Sequence, residues 1–525
     1  MRAKGIFVFN DSNEGAINRS EMGSVMGFVG ILGDEVCQQE DKKSIFQDFN
    51  LDVCISRMNS LSKGYDLQEL LTNMPQKPET IRYRRQITKD MQSKEVRGAF
   101  ARYAKRMERA IKQEKQSKYN HHLPQQQKWH VDALCTYADA VEELFGALSG
   151  CTELSEELLS LVKYLDEYIS SEEYGNWRLI LKEVCEKLNN RSVVFSLQKN
   201  KVVLEEQGEY EEFGKRMLRA FSVKEEAENR FTKNDTDTLS LLERILAERI
   251  MKQSDLTKLM QRLMEVSIDE PLLQLVTDVQ YYLGFYKFAD ELKERGYVFS
   301  LPTEGKHMSI RAGYDVAMAA KGEREVISND FSMSGEECFF VITGANGGGK
   351  TTYARMIGQI LYFFRMGFLV PCEQAEIPYF TDVLSHFSNE ETEASGRGKL
   401  VEELVRLQPM MKEHNENCFV ILNELFTTAA TLDAGIMGKK VLSHFMQMNC
   451  RGIYVTHIQS LAEERDGVVS MVAELEEDHH TRSFKIVRKP AQEGEYEDSL
   501  ITKYHMTYEQ MKEVMGHGDS LFSGK

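Results

Sequence analysis

Nine consecutive residues, GANGGGKTT from Gly344 to Thr352, carry the most specific chemistry in this chain. Their spacing fits G-x-x-x-x-G-K-[ST], a loop whose backbone N–H groups turn inward onto phosphate oxygens. In that reading Gly344, Ala345, Asn346, Gly347, Gly348 and Gly349 form the cradle. Lys350 reaches the β- and γ-phosphates, Thr351 Oγ1 ligates Mg²⁺, and Thr352 continues into a helix whose N-terminus adds partial positive charge. The ligands implied are ATP and Mg²⁺. The competing reading is a glycine-rich turn that binds nothing. Flanking residues favour the loop. Phe339–Thr343 reads as a short buried strand, and Tyr353–Leu361 carries apolar side chains at helical spacing.

Two more strands end in residues that suit the same chemistry. Cys418–Leu422 is an apolar run leading into Asn423 and Glu424. Hydrolases with this loop end that strand in Asp-Glu, one carboxylate orienting the metal and its water, the next polarising the attacking water. Asn423 can accept a hydrogen bond from a metal-bound water but brings no charge, so hydrolysis is expected to be slow. Glu424 is the candidate general base; taken alone, a Glu at a strand end is a solvated charge. Gly452–Thr456 is a third apolar run, ending at His457. His457 is placed to sense a γ-phosphate, with a packed or capping histidine as the plainer alternative.

The elements that must position these groups follow from composition and pattern. A chain of 525 residues has room for two to four domains, and only 9 prolines point to long helices. Nine cysteines, odd in number and without a C-x-x-C pair, suggest reduced thiols and a cytoplasmic protein rather than disulfides or zinc. The N-terminal apolar run is too short for a signal peptide, and no stretch reaches the length of a membrane span, so no membrane association is expected. A net charge of −17 argues against non-specific coating of nucleic acid while leaving room for a local basic surface.

Along the chain, residues 1–45 are weakly patterned. From 46 to 300 the pattern is helical: Val96, Phe100, Tyr103, Met107 and Ile111 mark one apolar face, and Val131, Leu134, Ala138, Val141, Phe145 and Leu148 another. Ser192–Leu197 and Val202–Leu204 flank Lys199-Asn200-Lys201 and read as a hairpin inside this helical region. Tyr281, Tyr282, Phe285 and Phe288 form an aromatic stripe, read as core rather than as a ligand box. Arg97, Arg102, Lys105, Arg106, Arg109 and Lys112 crowd one helix, either as a solvated face or as a track for a phosphate backbone. His121-His122 and His479-His480 read as surface pairs. From Leu301 strands and helices alternate, as in an α/β domain with a mostly parallel sheet.

These residues together resemble the MutS family. Thr343–Thr352 is similar to its loop T-G-P-N-M-G-G-K-S-T, including Asn346. Asn329-Asp330 matches the Asn-Asp pair upstream, and Gly367–Pro371 with Ala375–Ile377 resembles G-x-x-V-P-A. Thr431-Leu-Asp433 falls where the family has T-x-D, and Val455-Thr456-His457 resembles A-T-H. Phe46–Leu51 and Thr80–Arg84 look like the start of its core and lever region, so the likeness runs over about 46–515. The resemblance implies a multidomain protein: an N-terminal extension at 1–45, a mostly helical core and lever domain at 46–300, and an ABC-type P-loop ATPase domain at 301–525. It places a small β clamp insertion near 192–235 and a dimerisation segment at the C-terminus.

Departures from the family narrow what is implied. With only about 45 residues before the core and no F-x-E wedge among them, the N-terminal mismatch-reading and connector domains are expected to be absent. The signature segment S-T-F-M-x-E reads Gly398-Lys399-Leu400-Val401-Glu402-Glu403 here, so Gly398 stands where a Ser would touch the partner subunit's γ-phosphate. Lys399 would supply charge instead, and Ser395 lies nearby. The implied function is an ATP-dependent DNA-binding homodimer that acts on mismatched or branched DNA, with nucleotide opening and closing a clamp. A nucleotide-gated structural clamp with weak hydrolysis, acting on a protein or ribonucleoprotein partner, is the alternative.

Overall fold

The computed structural model describes residues 30–33, 43–62, 64–120, 122–189, 193–198, 201–206, 254–322, 325–388, 398–412, 416–463, 465–475 and 482–491. Lys199, Asn200, His121, Ser395, His479, His480, most of 1–42, the stretch 207–253 and residues 492–525 lie outside them. The chain forms two compact units, one drawn from 31–91 and 280–525, the other from 92–279.

The first unit opens with helices α1 (Lys43–Asp48), α2 (Leu51–Leu61), α3 (Gln68–Thr72) and α4 (Pro78–Asp90). The second unit holds α5 (Lys94–Tyr119), α6 (Leu123–Ser149), α7 (Glu156–Ile169), α8 (Glu172–Asn189), the strands β1 (Val193–Gln198) and β2 (Lys201–Glu206), and α9 (Ser254–Leu263). Helix α10 (Glu270–Glu294) begins in that unit and ends in the first.

Helix α5 starts because Ser93 Oγ accepts the N–H groups of Glu95 and Val96, satisfying two donors that have no partner inside the helix. Its expected apolar face is buried throughout, Val96 to Ile111. The matching face of α6 is buried at Val131, Leu134, Ala138, Val141 and Leu148, with Phe145 half-buried. Buried polar groups of this unit find partners: Tyr103 Oη of α5 donates to Leu272 O at 2.6 Å, and Tyr164 Oη of α7 to Asp269 Oδ1 at 2.7 Å. On the outer face Arg102 and Arg106 bind Glu143 of α6 at 2.7 and 2.8 Å. Two cations of the basic run are therefore already matched by an acid. The hairpin forms as an antiparallel pair, in register from Val193↔Glu206 to Gln198↔Lys201.

The rest of the first unit comprises β3 (Thr303–Glu304), β4 (Met308–Gly313), α11 (Val316–Lys321), β5 (Asn329–Met333), β6 (Phe339–Gly344), α12 (Lys350–Met366), β7 (Gln374–Ile377), β8 (Val383–Phe387), α13 (Lys399–Leu407), β9 (Phe419–Asn423), α14 (Thr431–Gln447), β10 (Arg451–Val455), β11 (Val468–Leu475) and β12 (Arg482–Arg488). The larger sheet has the order β12-β11-β6-β10-β9-β8. All its pairs are parallel except β11–β12. Strands β6 and β9 are buried at nearly every position, as a parallel sheet covered on both faces requires. A smaller sheet, β3-β7-β4-β5, is mixed.

Helix α12 is buried along almost its whole length. The aromatic stripe of α10 packs near its end: Phe285 stacks on Phe368 at 4.2 Å between ring centres, Tyr281 on Phe368 at 4.6 Å, and Tyr281 Oη donates to Met366 O. Those aromatics are core, as their spacing suggested. Among the described residues no helix is long and apolar enough to cross a membrane.

Strand β10 can sit between β6 and β9 only because position 452 has no side chain. A Cβ there would stand 2.0 Å from Val420 O and 2.9 Å from the Phe339 ring. Gly452→Ala is expected to cost more than about 3 kcal/mol of unfolding free energy, because a backbone oxygen cannot step aside within a sheet. Urea denaturation followed by circular dichroism measures this; a loss under about 1 kcal/mol would contradict the packing.

Candidate functional site

The phosphate-loop motif lies between β6 and α12, as strand, loop and helix. Gly347 and Gly349 have φ of 70° and 90°, in the left-handed region that other residues enter at a cost, and Gly349 is the N-cap of α12. The turn is closed by Gly348 N–H donating to Ala345 O at 3.1 Å. Lys350 is 4% exposed. Its Nζ donates to Gly344 O at 2.7 Å and Ala345 O at 2.9 Å, which holds the ammonium inside the loop. Burial lowers the Lys350 pKa, Glu424 pulls it back up, and the Arg482 guanidinium lowers it further. Asn346 is exposed, and Thr352 is half-buried on the first turn of α12.

Thr351 Oγ1 donates to Asn423 Oδ1 at 3.1 Å, joining the helix after β6 to the end of β9. Strand β10 lies between the two in the sheet. Glu424 follows directly with φ of 53°, its N–H donating to Val455 O at 2.9 Å on β10. Lys350, Thr351, Asn423 and Glu424 thus meet at the C-terminal edge of three parallel strands. His457 stands apart. Thr456 is fully buried, with its N–H on Ile342 O and its Oγ1 accepting from Ile458 N–H, while His457 itself is exposed and bonded to none of the four.

The signature segment reaches this edge by a route the sequence did not suggest. Gly398 is the exposed N-cap of α13. Glu403 in that helix is buried, and its Oε2 accepts the Phe426 N–H at 2.9 Å, two residues beyond Glu424. Nearby His386 of β8 is 1% exposed, with Nε2 3.3 Å from Glu403 O and no partner for Nδ1 among the described residues. Arg406 binds Phe387 O and Asp48, locking α13 against β8 and α1. Strand β12 adds two further residues, Arg482 and Phe484, beside the loop. Both lie far from the motif in sequence, and no local pattern marks them.

Residues that could hold Mg²⁺ are sparse by design. Among the described residues no three His, Cys, Asp or Glu side chains cluster as a metal site. The neutral pair Thr351 and Asn423 fits an ion coordinated mainly by phosphate oxygens and water, as Mg²⁺ prefers.

Residues 340–503 match the family model described as MutS domain V. The DNA mismatch repair protein MSH2 of Saccharomyces cerevisiae is 31% identical over 139 residues, 26% of this chain and 14% of that protein. The DNA mismatch repair protein MutS of Shouchella clausii is 22% identical over 199 residues, 38% of this chain and 23% of that protein. MutS of Staphylococcus haemolyticus is 23% identical over 318 residues, 57% of this chain and 35% of that protein. The chain thus matches between 14% and 35% of the length of these relatives.

The His386 environment makes stability depend on pH. Burial, helped by the Arg406 charge, pushes its pKa down from 6.5 to about 4. The folded state therefore rejects a proton that the unfolded chain accepts. Stability is complete above pH 6.5 and falls as pH drops from 6.5 toward 4. Roughly 2 kcal/mol should be lost between pH 7.5 and pH 5 from this residue. The difference between wild type and His386→Gln, each followed by urea unfolding at both pH values, isolates it. Equal pH dependence in the two proteins would refute the assignment.

Proposed function

Since the chain belongs to the MutS family, with residues 340–503 as its domain V, we propose that it is an ATP-dependent DNA-binding protein acting in DNA repair or recombination. The observation that carries this reading is the meeting of Lys350, Thr351, Asn423 and Glu424 at one sheet edge. In it the amides of Gly344–Gly349 hold the phosphates, and Lys350 turns from Gly344 O and Ala345 O to the β- and γ-phosphate oxygens. Thr351 Oγ1 would hold Mg²⁺ directly and Asn423 Oδ1 would hold it through a bound water. The ion, when bound, would supply charge neutralisation at the phosphates.

Glu424 orients and deprotonates the attacking water; its carboxylate lies near enough to Lys350 to raise that lysine's proton affinity. His457, exposed after β10, is the candidate γ-phosphate sensor. The missing carboxylate at 423 makes turnover slow. Two such domains pair as a homodimer, each nucleotide closed between one subunit's loop and the α13 segment of the other. The link from Glu403 to Phe426 passes closure of α13 to the Glu424 loop. Nucleotide state then opens or closes the helical 92–279 unit around DNA, with the Lys201 end of the hairpin and the basic face of α5 as phosphate contacts.

Asn423 also favours a second reading, a clamp that binds nucleotide with weak hydrolysis and holds a protein or ribonucleoprotein partner. Pairing of Arg102 and Arg106 with Glu143 adds to it, since those cations are already engaged.

Lys350→Ala is expected to abolish ATP binding, because the lost ammonium faces the phosphates. Isothermal titration calorimetry checks this, and wild-type affinity in the variant would end the assignment.

DNA binding is expected to weaken steeply with salt and to favour a four-way junction over linear duplexes, with little distinction between mismatched and matched ones. Fluorescence anisotropy across a salt series measures it. A strong mismatch preference would overturn the branched-DNA expectation, and no binding at low salt would move the weight to the partner-clamp reading.

A further inference from the structure

Strand β12 breaks its pairing with β11 beside the phosphate loop. Ala473 opposes Ile486, but Leu475 opposes Arg482, so β12 spends two more residues than β11 over the same span. Such bulges re-aim side chains, and they concentrate near functional sites. Within this one Phe484 has φ of 55°, a conformation an aromatic residue adopts only when its surroundings impose it.

Those surroundings are on hand. Asn329 at the start of β5 donates through Nδ2 to Phe484 O at 3.0 Å and accepts the Ile486 N–H through Oδ1 at 2.9 Å. Ser483 Oγ donates to Glu474 O, and Lys485 Nζ to Ser328 O. Beyond the bulge, Arg488 pairs with Glu337 at 2.6 Å and lies over the Phe340 ring. The bulge is thus pinned by the Asn329 side chain of β5 and by its own Ser483 and Lys485, which reach backbone carbonyls of β11 and of the residue before β5.

What the bulge presents to the loop is a cation. The Arg482 guanidinium lies against Gly347: a Cβ built there would be 2.6 Å from Nη1 and 3.1 Å from Cζ. The Phe484 ring lies beside Gly349 at 3.5 Å by the same measure. No carboxylate among the described residues pairs with Arg482. Arg482 also stands close enough to Lys350 to oppose its protonation. Two cations therefore converge on one glycine-rich loop, with Glu424 acting on Lys350, an arrangement that suits a polyanion.

We propose that Arg482 is a phosphate-binding residue of the nucleotide site, clamping α- and β-phosphate oxygens from the Gly347 side of the loop. This rests on the nucleotide reading above and adds a residue to it. A planar guanidinium donates two parallel hydrogen bonds to a phosphate, which an ammonium cannot do. Gly347 is in the middle of the loop, where backbone amides hold the α- and β-phosphates rather than the γ-phosphate. Arg482 therefore serves ADP and ATP alike. It supplies fixed positive charge to a site in which Asn423 provides no carboxylate to anchor the metal.

The test is equilibrium binding of fluorescent N-methylanthraniloyl ADP and ATP to the full chain, wild type against Arg482→Ala and Arg482→Lys, with and without Mg²⁺. Thermal unfolding of each protein is followed in parallel. Arg482→Ala should bind both nucleotides at least tenfold more weakly, by similar factors, at unchanged melting temperature. Arg482→Lys should recover part of the loss. Wild-type protein that binds neither nucleotide would overturn the nucleotide reading itself. Wild-type protein that binds both, with Arg482→Ala within twofold of it, would overturn only the role of Arg482. Loss confined to ATP would overturn the assignment to the α- and β-phosphates.

Discussion

The first unit depends on how the buried polar side chains of α12 are satisfied. Gln359 is fully buried, and all its polar capacity is used: Nε2 donates to Phe49 O and Asp315 Oδ1, and Oε1 accepts from Val316 N–H. Arg365, 3% exposed, donates through Nη1 to Thr381 O and through Nη2 to Pro75 O, leaving only its Nε without a partner among the described residues. Tyr362 Oη donates to Leu71 O. An unmatched amide or guanidinium here would carry the full penalty of lost hydration, so these bonds hold α1–α4 and the start of α11 to α12. Gly358 allows the same approach, since a Cβ would strike the Phe49 ring at 2.6 Å. The helix that begins at Lys350 is therefore fixed by contacts from segments more than 200 residues upstream.

A rigid helix fixes one side of the site, and the parallel sheet fixes the other. Strands β6, β10 and β9 run the same way and are neighbours, so whatever follows each of them emerges at one edge. That geometry brings Lys350, Thr351, Asn423 and Glu424 together although the chain visits them far apart. Glu424 and Phe426 both have positive φ, at 53° and 62°, so the turn after β9 is strained and needs support. Glu403 supplies it from α13, whose outer face exposes Val401, Leu404 and Val405.

Much of this was legible in the sequence because it is local. The strand, glycine-rich loop and helix around Gly344–Thr352 are marked by nine adjacent residues, buried parallel strands are short apolar runs, and α5 and α6 show their faces by spacing alone. The aromatic stripe of α10 was readable as core for the same reason. What was hidden is long-range pairing. The spacing of Arg102 and Arg106 placed them on one face but could not reveal Glu143 on the next helix. Asn329 was noticed only by likeness; its work, gripping the backbone of a strand 155 residues on, shows in the fold alone. Glu403 and His386 carry no local mark either, since each matters for what it meets on a neighbouring element.

The two cations at the loop sit within a strongly acidic molecule. Lys350, with Glu424 near it, and Arg482 beside Gly347 leave local positive charge in a chain whose net charge is −17. A distant anion meets the field of the whole molecule first, and that field is repulsive. Only within about 8 Å, the screening length at physiological ionic strength, does the loop's own charge take over. Capture of a small anion at this loop, as the proposed function requires, would therefore be governed by short-range fit rather than by steering. Added salt would speed its encounter by screening the repulsion and shorten its retention by weakening the final contacts.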